Sequence, residues 1–506
     1  MKKFVKTLVL TFTTMLALSA CQTNTQKSDP SKEGKLVFRT GDMVQKSFGG
    51  LGVEWGAYED TDKLIEGGWD LILNHMDHLG AQRIRLMVSY DWFVANFDDK
   101  GDDDKTNDTW SYNFTNKYAK NMLDILEYCE IKKIDVAFGA WNVIADLNGP
   151  DVWGMMDEVT KDIRWAKVNA DVFDYLVNKK GFTCIKWLVN TNEPNYAGQE
   201  GQSKNFNNTY EIWEQGVKNV RKALDDVGLK HIGIIGGDTT GFAGSQEYLI
   251  NISKNIKDKV GDYGAHLYVS KLDVGLGTLQ AKIEELYAEI KKNDPRLGNT
   301  IQADIWEAGL IDGKTALDCQ NLITTPDYAV RMTDFTVQCL SAGINGITYW
   351  DFDDAMHFMY TATTMTPKEW GMFSSLAGAN SGKQELRPWY HTSSLLCHMF
   401  RKTDKVFTLN VKDVNTFRTI ASVSQDGSRG GIVAVNAGAK DLTQTFRIDE
   451  KVSGDKVYVY VFNANSYRLG EDGYIIPNYV VDGSLNDEMT ITVPRSSAIF
   501  LSNVRL

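Results

Sequence analysis

The chain has 506 residues and a formal charge of −12 at pH 7, with 43% hydrophobic and 24% charged residues. This length exceeds one ordinary core and indicates a large domain with a smaller one, while the composition is typical of a folded protein. The acidic balance argues against nucleic acid or anionic lipid headgroups as the main partner and favours neutral ligands.

The first 44 residues are predicted to be a targeting segment and a linker. Residues 1–20 join the basic start MKKFVK to an apolar run that is too short to span a bilayer. The LSAC that ends at Cys21 resembles the lipobox of bacterial lipoproteins. This resemblance implies a signal peptide cleaved before Cys21, a lipidated sulfur, and anchoring in the bacterial cell envelope, on the periplasmic or cell-surface face of the outer membrane. Residues 21–44 are polar without apolar periodicity, which predicts a flexible tether.

Residues 45–402 alternate short apolar segments with amphipathic helical segments. Eight strand candidates follow one another at 49–55, 82–90, 133–141, 184–192, 231–238, 262–269, 300–307 and 344–351. Eight strand-helix units predict an α/β fold, a (β/α)8 TIM barrel, whose last helix lies within 386–400. A doubly wound sheet is the structural alternative, but GGLGVEWG lacks the phosphate-loop spacing that such a sheet carries in its first turn.

Residues 403–506 have a different pattern, with seven short alternating segments separated by Gly, Asp and Asn turns and no long helix. This pattern predicts a C-terminal antiparallel β-sandwich. The five cysteines after Cys21 are scattered and no HExxH spacing occurs, so we expect buried thiols without a disulfide framework, and neither a metal site nor an organic cofactor.

In a TIM barrel the functional site lies at the carboxyl ends of the strands. Two principal carboxylates fall there, Glu193 at the end of the fourth strand and Glu307 at the end of the seventh. The other candidates at strand ends are Glu54, Arg85, Trp141, Asn142, Asn192, His266, Tyr268 and Trp350. Arg83 is the alternative to Arg85 as the arginine of the site. Asp238 and Asp351 are expected to cap helices or brace loops.

Two facing carboxylates are what glycoside hydrolysis requires. One must be protonated to assist the leaving oxygen, and the other must be ionised to stabilise or attack the anomeric carbon. Repulsion between the two raises one pKa, and a nearby arginine keeps the other low.

The motifs NTNEPN at the end of strand four and DIWEAG at the end of strand seven resemble the signature pair of clan A glycoside hydrolases. The resemblance extends to RIRLMVS, HLY and TYWDFDD on strands two, six and eight, and RPWYHTSSLL before a terminal sandwich is similar to families 39, 30 and 5. It implies a retaining enzyme that cleaves a β-linked neutral glycan by double displacement. In such an enzyme Glu193 would be the general acid/base and Glu307 the nucleophile.

The resemblance also suggests roles for the neighbouring residues. Asn192 would bind the sugar 2-hydroxyl, Arg85 and Tyr268 would hold Glu307 with Arg85 keeping it ionised, and Trp350 would form the floor under the sugar. The expected sugar contacts are Trp141, Asn142, Glu54 and His266, of which His266 is equally a candidate for a structural hydrogen bond.

Two alternatives stay open at this point. The chain could be a non-catalytic surface glycan-binding lipoprotein that keeps the barrel as a platform, although both glutamates are present, or it could be a transglycosylase of the same fold. We expect a monomer with a carbohydrate substrate, no nucleic-acid partner, membrane contact only through the anchor, and a sandwich that buttresses the barrel.

Overall fold

The computed structural model describes residues 34–56, 67–92, 94–98, 104–140, 160–195, 210–354, 358–360, 365–374, 385–409 and 416–506. None of the helices within these ranges combines the length and the apolar character that crossing a membrane requires. The predicted signal peptide, Cys21, Trp141 and Asn142 lie outside the described residues.

Two short strands, β1 (Lys35–Phe38) and β2 (Met43–Gln45), precede the barrel. The strands that follow are β3 (Gly50–Glu54), β4 (Arg83–Val88), β5 (Val94–Asp98), β6 (Thr109–Tyr112), β7 (Asp135–Ala140), β8 (Ile185–Val189), β9 (Gly233–Ile234), β10 (Gly237–Thr240), β11 (Asp262–Val269), β12 (Gln302–Leu310), β13 (Gly346–Tyr349), β14 (Phe358–Tyr360) and β15 (Met365–Pro367). The helices of this region are α1 (Gly68–Leu79), α2 (Lys117–Lys132), α3 (Ile163–Phe173), α4 (Tyr210–Asp226), α5 (Phe242–Asn255), α6 (Lys271–Leu276), α7 (Thr278–Asn293), α8 (Pro326–Ser341) and α9 (Pro388–Met399).

Nine of these strands form one parallel sheet in the order β10-β11-β12-β13-β3-β4-β7-β8-β9. The fifth barrel position is divided, because β9 pairs with β8 while β10 pairs with β11. Backbone bonds from Ile235 to Leu188 and from Gly264 to Gly236, both of 2.9 Å, join the two pieces into the ring. The eight predicted strand positions and the predicted (β/α)8 barrel are therefore confirmed.

Side-chain alternation along β4 explains why two arginines can occupy a buried strand. All six residues of β4 are buried, and Arg83 and Arg85 lie two residues apart, so both turn to the barrel interior. Arg83 sits low in the barrel, where Nη1 donates to Asp304 at 2.6 Å and the guanidinium lies 3.9 Å from the ring centre of Trp306. Arg85 lies one layer nearer the carboxyl ends of the strands, so Arg85 and not Arg83 is the arginine of the site.

The C-terminal domain contains the strands β16 (Lys405–Leu409), β17 (Phe417–Val423), β18 (Gly430–Asn436), β19 (Leu442–Ile448), β20 (Lys456–Phe462), β21 (Arg468–Leu469), β22 (Ile475–Ile476), β23 (Tyr479–Asp482), β24 (Met489–Val493) and β25 (Ser497–Ser502). A seven-stranded sheet, β2-β16-β17-β18-β25-β20-β23, is accompanied by a three-stranded sheet, β1-β19-β24. The predicted sandwich is thus confirmed.

Strand β18 shows how the sandwich joins the barrel. Its residues Ile432 and Ala434 pack in the core between the two sheets, while Val433 and Val435 belong to the core cluster of the barrel. Both faces of this strand are buried, which explains why its sequence is almost continuously apolar.

The predicted tether is wrong for its last ten residues. Residues 35–38 form β1, which pairs in parallel with β19, and β2 pairs with β16 at the edge of the larger sheet. Leu36 and Phe38 are buried in the core of the sandwich. The polar composition of the segment hides these two apolar anchors, which are enough to fix it on a preformed sheet.

Candidate active site

Arg85 connects four residues at the carboxyl ends of the barrel strands. Its Nη1 atom donates to Glu54 at 2.9 Å and to Glu307 at 2.8 Å, and its Nη2 atom donates to Asn192 and to Asp238 at 2.7 Å each. The guanidinium is fully buried, and its planar fork suits several oxygens at fixed angles. One cation therefore holds together side chains that come from four different strand positions.

His266, on β11, lies between three carboxyl groups. Its Nδ1 atom is 2.9 Å from Glu193 and 3.4 Å from Glu307, and its Nε2 atom is 2.9 Å from Asp238. Both ring nitrogens can donate only when the imidazole is protonated. Burial alone would lower the pKa of His266, but the charges of Glu307 and Asp238 outweigh burial and raise it to about 10. His266 is therefore a cation at neutral pH.

Irregular backbone places three of these carboxylates. Glu193 and Asp238 have φ values of 46° and 54°, in the left-handed region that side chains other than glycine seldom adopt. The backbone N–H of Glu193 donates to the carbonyl of Asp238 at 3.0 Å, which ties the two strand ends together. The pairing of β11 with β12 shifts by one residue at Trp306, so that Glu307 lies opposite His266.

The two principal carboxylates face each other closely. One oxygen of Glu193, one oxygen of Glu307 and a ring nitrogen of His266 all lie within 4.8 Å of one another. The hydroxyl of Tyr268 donates to Glu307 at 2.7 Å. The side chain of Glu193 is 20% exposed and that of Glu307 is 6% exposed, so Glu193 is the more accessible of the two.

The pKa directions of this pair are opposite to the predicted roles. Burial raises the pKa of Glu307, and the charges of His266 and Arg85 offset only part of that effect. Burial acts in the same direction on Glu193, but the hydrogen bond and charge of His266 outweigh it and lower the pKa. Arg85 thus acts on Glu307 in the predicted direction, although burial has the larger effect, while His266 stabilises the ionised form of Glu193.

Glu54 and His266 are positioned differently from the predicted sugar contacts. Both side chains are fully buried, Glu54 against Arg85 and His266 among the carboxylates. Burial raises the pKa of Glu54 to about 8, opposed by Arg85 and assisted by the charge of Glu307. The sugar contacts of Glu54 and His266 stay predictions, and the hydrogen bonds of His266 to Glu193 and Asp238 also fit the structural alternative.

Asp238 was missed as a site residue. It does not cap a helix but accepts from Arg85 and pairs with His266, and these two cations lower its pKa although burial opposes them. A signal was present in the sequence, since Asp238 follows two glycines at the end of the fifth strand position. Asp351 is also no cap, because within the described ranges neither carboxylate oxygen has a hydrogen-bond partner.

Trp350 follows β13 at the eighth strand position and is 7% exposed. Its backbone N–H donates to Ala308 at 3.1 Å, and its peptide bond to Asp351 is cis. Asn192 is half-buried, and its side-chain oxygen accepts a hydrogen bond from Arg85. Its amide nitrogen can therefore still donate to a ligand. The sugar contacts of both residues stay predictions.

Glu193, His266 and Glu307 are also the described residues that could coordinate a metal ion through one atom each. A histidine must lose its proton to bind a metal, and the pKa of His266 is about 10. The hydroxyl of Tyr268 already occupies one oxygen of Glu307. This cluster is therefore better suited to moving protons than to holding a cation.

No protein-family model and no curated protein sequence matches the chain. Solved structures do match it. A GH30 endoxylanase from Clostridium papyrosolvens C71 superposes with a TM-score of 0.58 at 14% identity, covering 93% of this chain and 99% of the xylanase. The catalytic domain of GH30 xylanase C from Talaromyces cellulolyticus has a TM-score of 0.62 at 12% identity and covers 92% and 99%.

A monomeric beta-xylosidase from Caulobacter crescentus CB15 gives a TM-score of 0.58 at 12% identity, covering 92% of this chain and 98% of that enzyme. These matches span both the barrel and the terminal β-domain. The chain therefore has the fold of clan A glycoside hydrolases, a (β/α)8 barrel followed by a C-terminal β-domain.

Proposed function

We propose that this protein is a retaining glycoside hydrolase that cleaves a β-linked neutral glycan or oligosaccharide, with Glu307 as the nucleophile and Glu193 as the general acid/base. The observation that carries the proposal is the close approach of these carboxyl groups, with oxygens within 4.8 Å. Retaining enzymes keep their carboxyl groups about 5–5.5 Å apart, whereas inverting enzymes leave room for a water molecule at about 6.5–9.5 Å. The glycosidase fold supports the same reaction class.

In the first step, an oxygen of Glu307 attacks the anomeric carbon as the bond to the leaving oxygen breaks and Glu193 gives that oxygen its proton. In the second step, Glu193 removes a proton from water, which attacks the anomeric carbon and frees Glu307. Tyr268 would orient the nucleophile through its 2.7 Å bond, and the amide nitrogen of Asn192 is available for the sugar 2-hydroxyl.

His266 is a proton source for Glu193. His266 carries a proton on Nδ1, 2.9 Å from Glu193, and transfer of that proton would leave a neutral imidazole and a protonated acid. Exclusion of water by the bound sugar disfavours charged groups, so it would favour the neutral imidazole and the protonated acid over the ion pair. With Glu54 protonated, three carboxylates against two cations also make the site unfavourable for an anionic sugar.

The test uses a panel of neutral β-linked oligosaccharides with products read by mass and by NMR of the newly formed anomer. Wild type should give products of retained configuration. Glu307→Ala with added azide should form a glycosyl azide of inverted configuration, and Glu193→Ala with azide should form one of retained configuration. Glu285→Ala, an exposed acid on α7, is the matched control. Inverted wild-type products, or unchanged turnover in both site variants, would overturn the assignment.

Glycan binding by the wild type without any turnover would favour the glycan-binding lipoprotein, and accumulation of longer products at high acceptor concentration would favour the transglycosylase.

We also propose a lipid anchor at Cys21, in a monomeric protein of the bacterial outer membrane. Cys21→Ser should move the protein from the membrane fraction to the soluble fraction. Membrane retention of this variant contradicts the anchor without affecting the enzymatic proposal.

A further inference from the structure

An open cavity lies at the amino-terminal end of the barrel, away from the site described above. Its volume is about 500 Å³, and it lies beside the first residues of β7, β8 and β9 and the turn before β11. We call it the lower pocket and define it by Lys186, Trp187, Arg221, Lys230, His231 and Lys259. Its volume is within the range of pockets that hold small molecules, about 300–1,000 Å³.

The lower pocket is positively charged in an acidic protein. Its lining contains four cationic side chains, Lys186, Arg221, Lys230 and Lys259, against two acidic ones, Asp135 and Asp258. Asp135 pairs with Lys402 at 2.6 Å and Asp258 with Lys259 at 3.1 Å, so both acids are already neutralised.

Two lysines remain without compensation. Arg221 is paired with Asp225 at 2.7 Å, whereas Lys186 and Lys230 are exposed and make no ion pair with a described residue. Like charges that share a concave surface raise each other's energy, and a bound anion removes that cost.

Trp187 gives the pocket a rigid apolar wall. It is partly exposed to the cavity and packs from the inner side against Trp306, with ring centres 5.2 Å apart at 64°. The guanidinium of Arg83 lies 5.2 Å from the Trp187 ring centre and is itself anchored on Asp304. A ring held in this way can stack against a flat or ring-shaped ligand without losing side-chain freedom.

We propose that the lower pocket binds a cyclic organic anion of about the size of an acidic monosaccharide. Its ring would lie against Trp187 and its carboxylate or sulfate would be bound by Lys186 and Lys230. This inference does not depend on the proposed function, because the pocket lies at the opposite end of the barrel from Glu193 and Glu307.

The test measures binding to the full chain by ligand-detected NMR at low salt. The probes are sodium glucuronate and glucose 6-sulfate as anionic rings, glucose as the neutral ring, and inorganic phosphate as an anion without a ring. We expect an anionic ring to bind about tenfold more tightly than glucose and phosphate, and its binding to weaken as salt screens the lysines.

Two double variants test whether the anionic ring binds in the lower pocket. Lys186→Gln/Lys230→Gln should weaken binding of the anionic ring by about tenfold, while Lys218→Gln/Lys222→Gln removes the same charge from the exposed face of α4 and should leave binding unchanged. All four lysines are exposed, so we expect the variants to fold. Glu193→Gln should not alter the signal. Equal binding of glucose or phosphate, equal loss in both lysine pairs, or loss in Glu193→Gln would each overturn the proposal.

Discussion

The Nδ1 atom of His266 lies 2.9 Å from Oε1 of Glu193. A cation on the sixth strand thus contacts the proposed acid/base on the fourth, and its second nitrogen is fixed by Asp238. The protonation state of Glu193 is therefore controlled by a residue that has no exposed surface of its own.

His266→Gln should move the pH dependence of catalysis. Without the imidazolium, the pKa of Glu193 rises, because that charge is what lowers it in the ligand-free site. The alkaline limb of kcat/KM should shift to higher pH, and kcat should fall about 10²-fold as Glu193 loses its orienting partner. Rate profiles from pH 4 to 10 check this, with the exposed His231→Gln as control. An unmoved alkaline limb would contradict it.

Arg85→Lys should impair both catalysis and stability. One ammonium group cannot satisfy the oxygens of Glu54, Asn192, Asp238 and Glu307, so we expect kcat to fall about 10²-fold and the free energy of unfolding to fall by about 3–5 kcal/mol. Denaturant unfolding and steady-state kinetics measure the two effects.

The matched control is Arg83→Lys, two residues away on the same strand. Arg83 is equally buried and pairs with Asp304, so its loss should lower stability by a similar amount while kcat stays within about twofold. Equal loss of kcat in both variants would show that Arg85 acts only through stability.

Histidines at the interface between the barrel and the sandwich predict acid sensitivity. Burial lowers the pKa of His391 to about 4, and it also lowers the pKa of His78 and His398. His78 stacks on Tyr474 of the sandwich with ring centres 3.5 Å apart. A depressed histidine pKa means that the unfolded chain binds more protons between about pH 4 and 6.5, so stability falls as pH falls through this window.

For His391 this loss amounts to about 2 kcal/mol between pH 7 and pH 5. His391→Gln should remove it, so the difference in unfolding free energy between variant and wild type should change by that amount across the window. Comparing the difference cancels other titrations, such as that of Glu54, which works in the opposite direction because its pKa is raised to about 8. A pH-independent difference would refute this prediction.

Phe38→Ala should destabilise the sandwich although it lies more than 350 residues before it in the sequence. Phe38 is fully buried between the two sheets, and truncating a buried Phe costs about 3–5 kcal/mol. Lys35→Ala on the same strand removes an exposed pair with Glu488 and should cost less than about 1 kcal/mol. Similar unfolding midpoints for Phe38→Ala and wild type would show that β1 contributes little.

Local sequence patterns were sufficient for most of the fold. The eight barrel positions alternate with amphipathic helices, and parallel pairing between neighbours in sequence makes each strand recognisable on its own. Strands β1 and β2 were not recognisable, because their apolar residues are few and their partners lie at the other end of the chain. A tether and an edge strand can have similar compositions, so composition alone does not distinguish them. The distinction requires knowing the sheet with which the strand pairs.

The site was predictable where a residue type at a strand end sufficed, as for Glu193 and Glu307. It was not predictable where function depends on contacts between strands. Asp238 joins the site through Arg85 and His266, and Glu54 is held by Arg85 beside Glu307. The pKa directions of the two glutamates likewise depend on tertiary contacts, because burial raises the pKa of Glu307 and the imidazole of His266 lowers that of Glu193.

Strand β1 has a consequence for the order of folding. Its residue Lys35 pairs with Thr445, 410 residues later, so the barrel lies in the loop that this pairing closes. The barrel, made of neighbouring strand-helix units, can form from contacts that are local in sequence, whereas Leu36 and Phe38 are buried only when this long loop closes. Docking of β1 on β19 is therefore expected to follow assembly of the barrel.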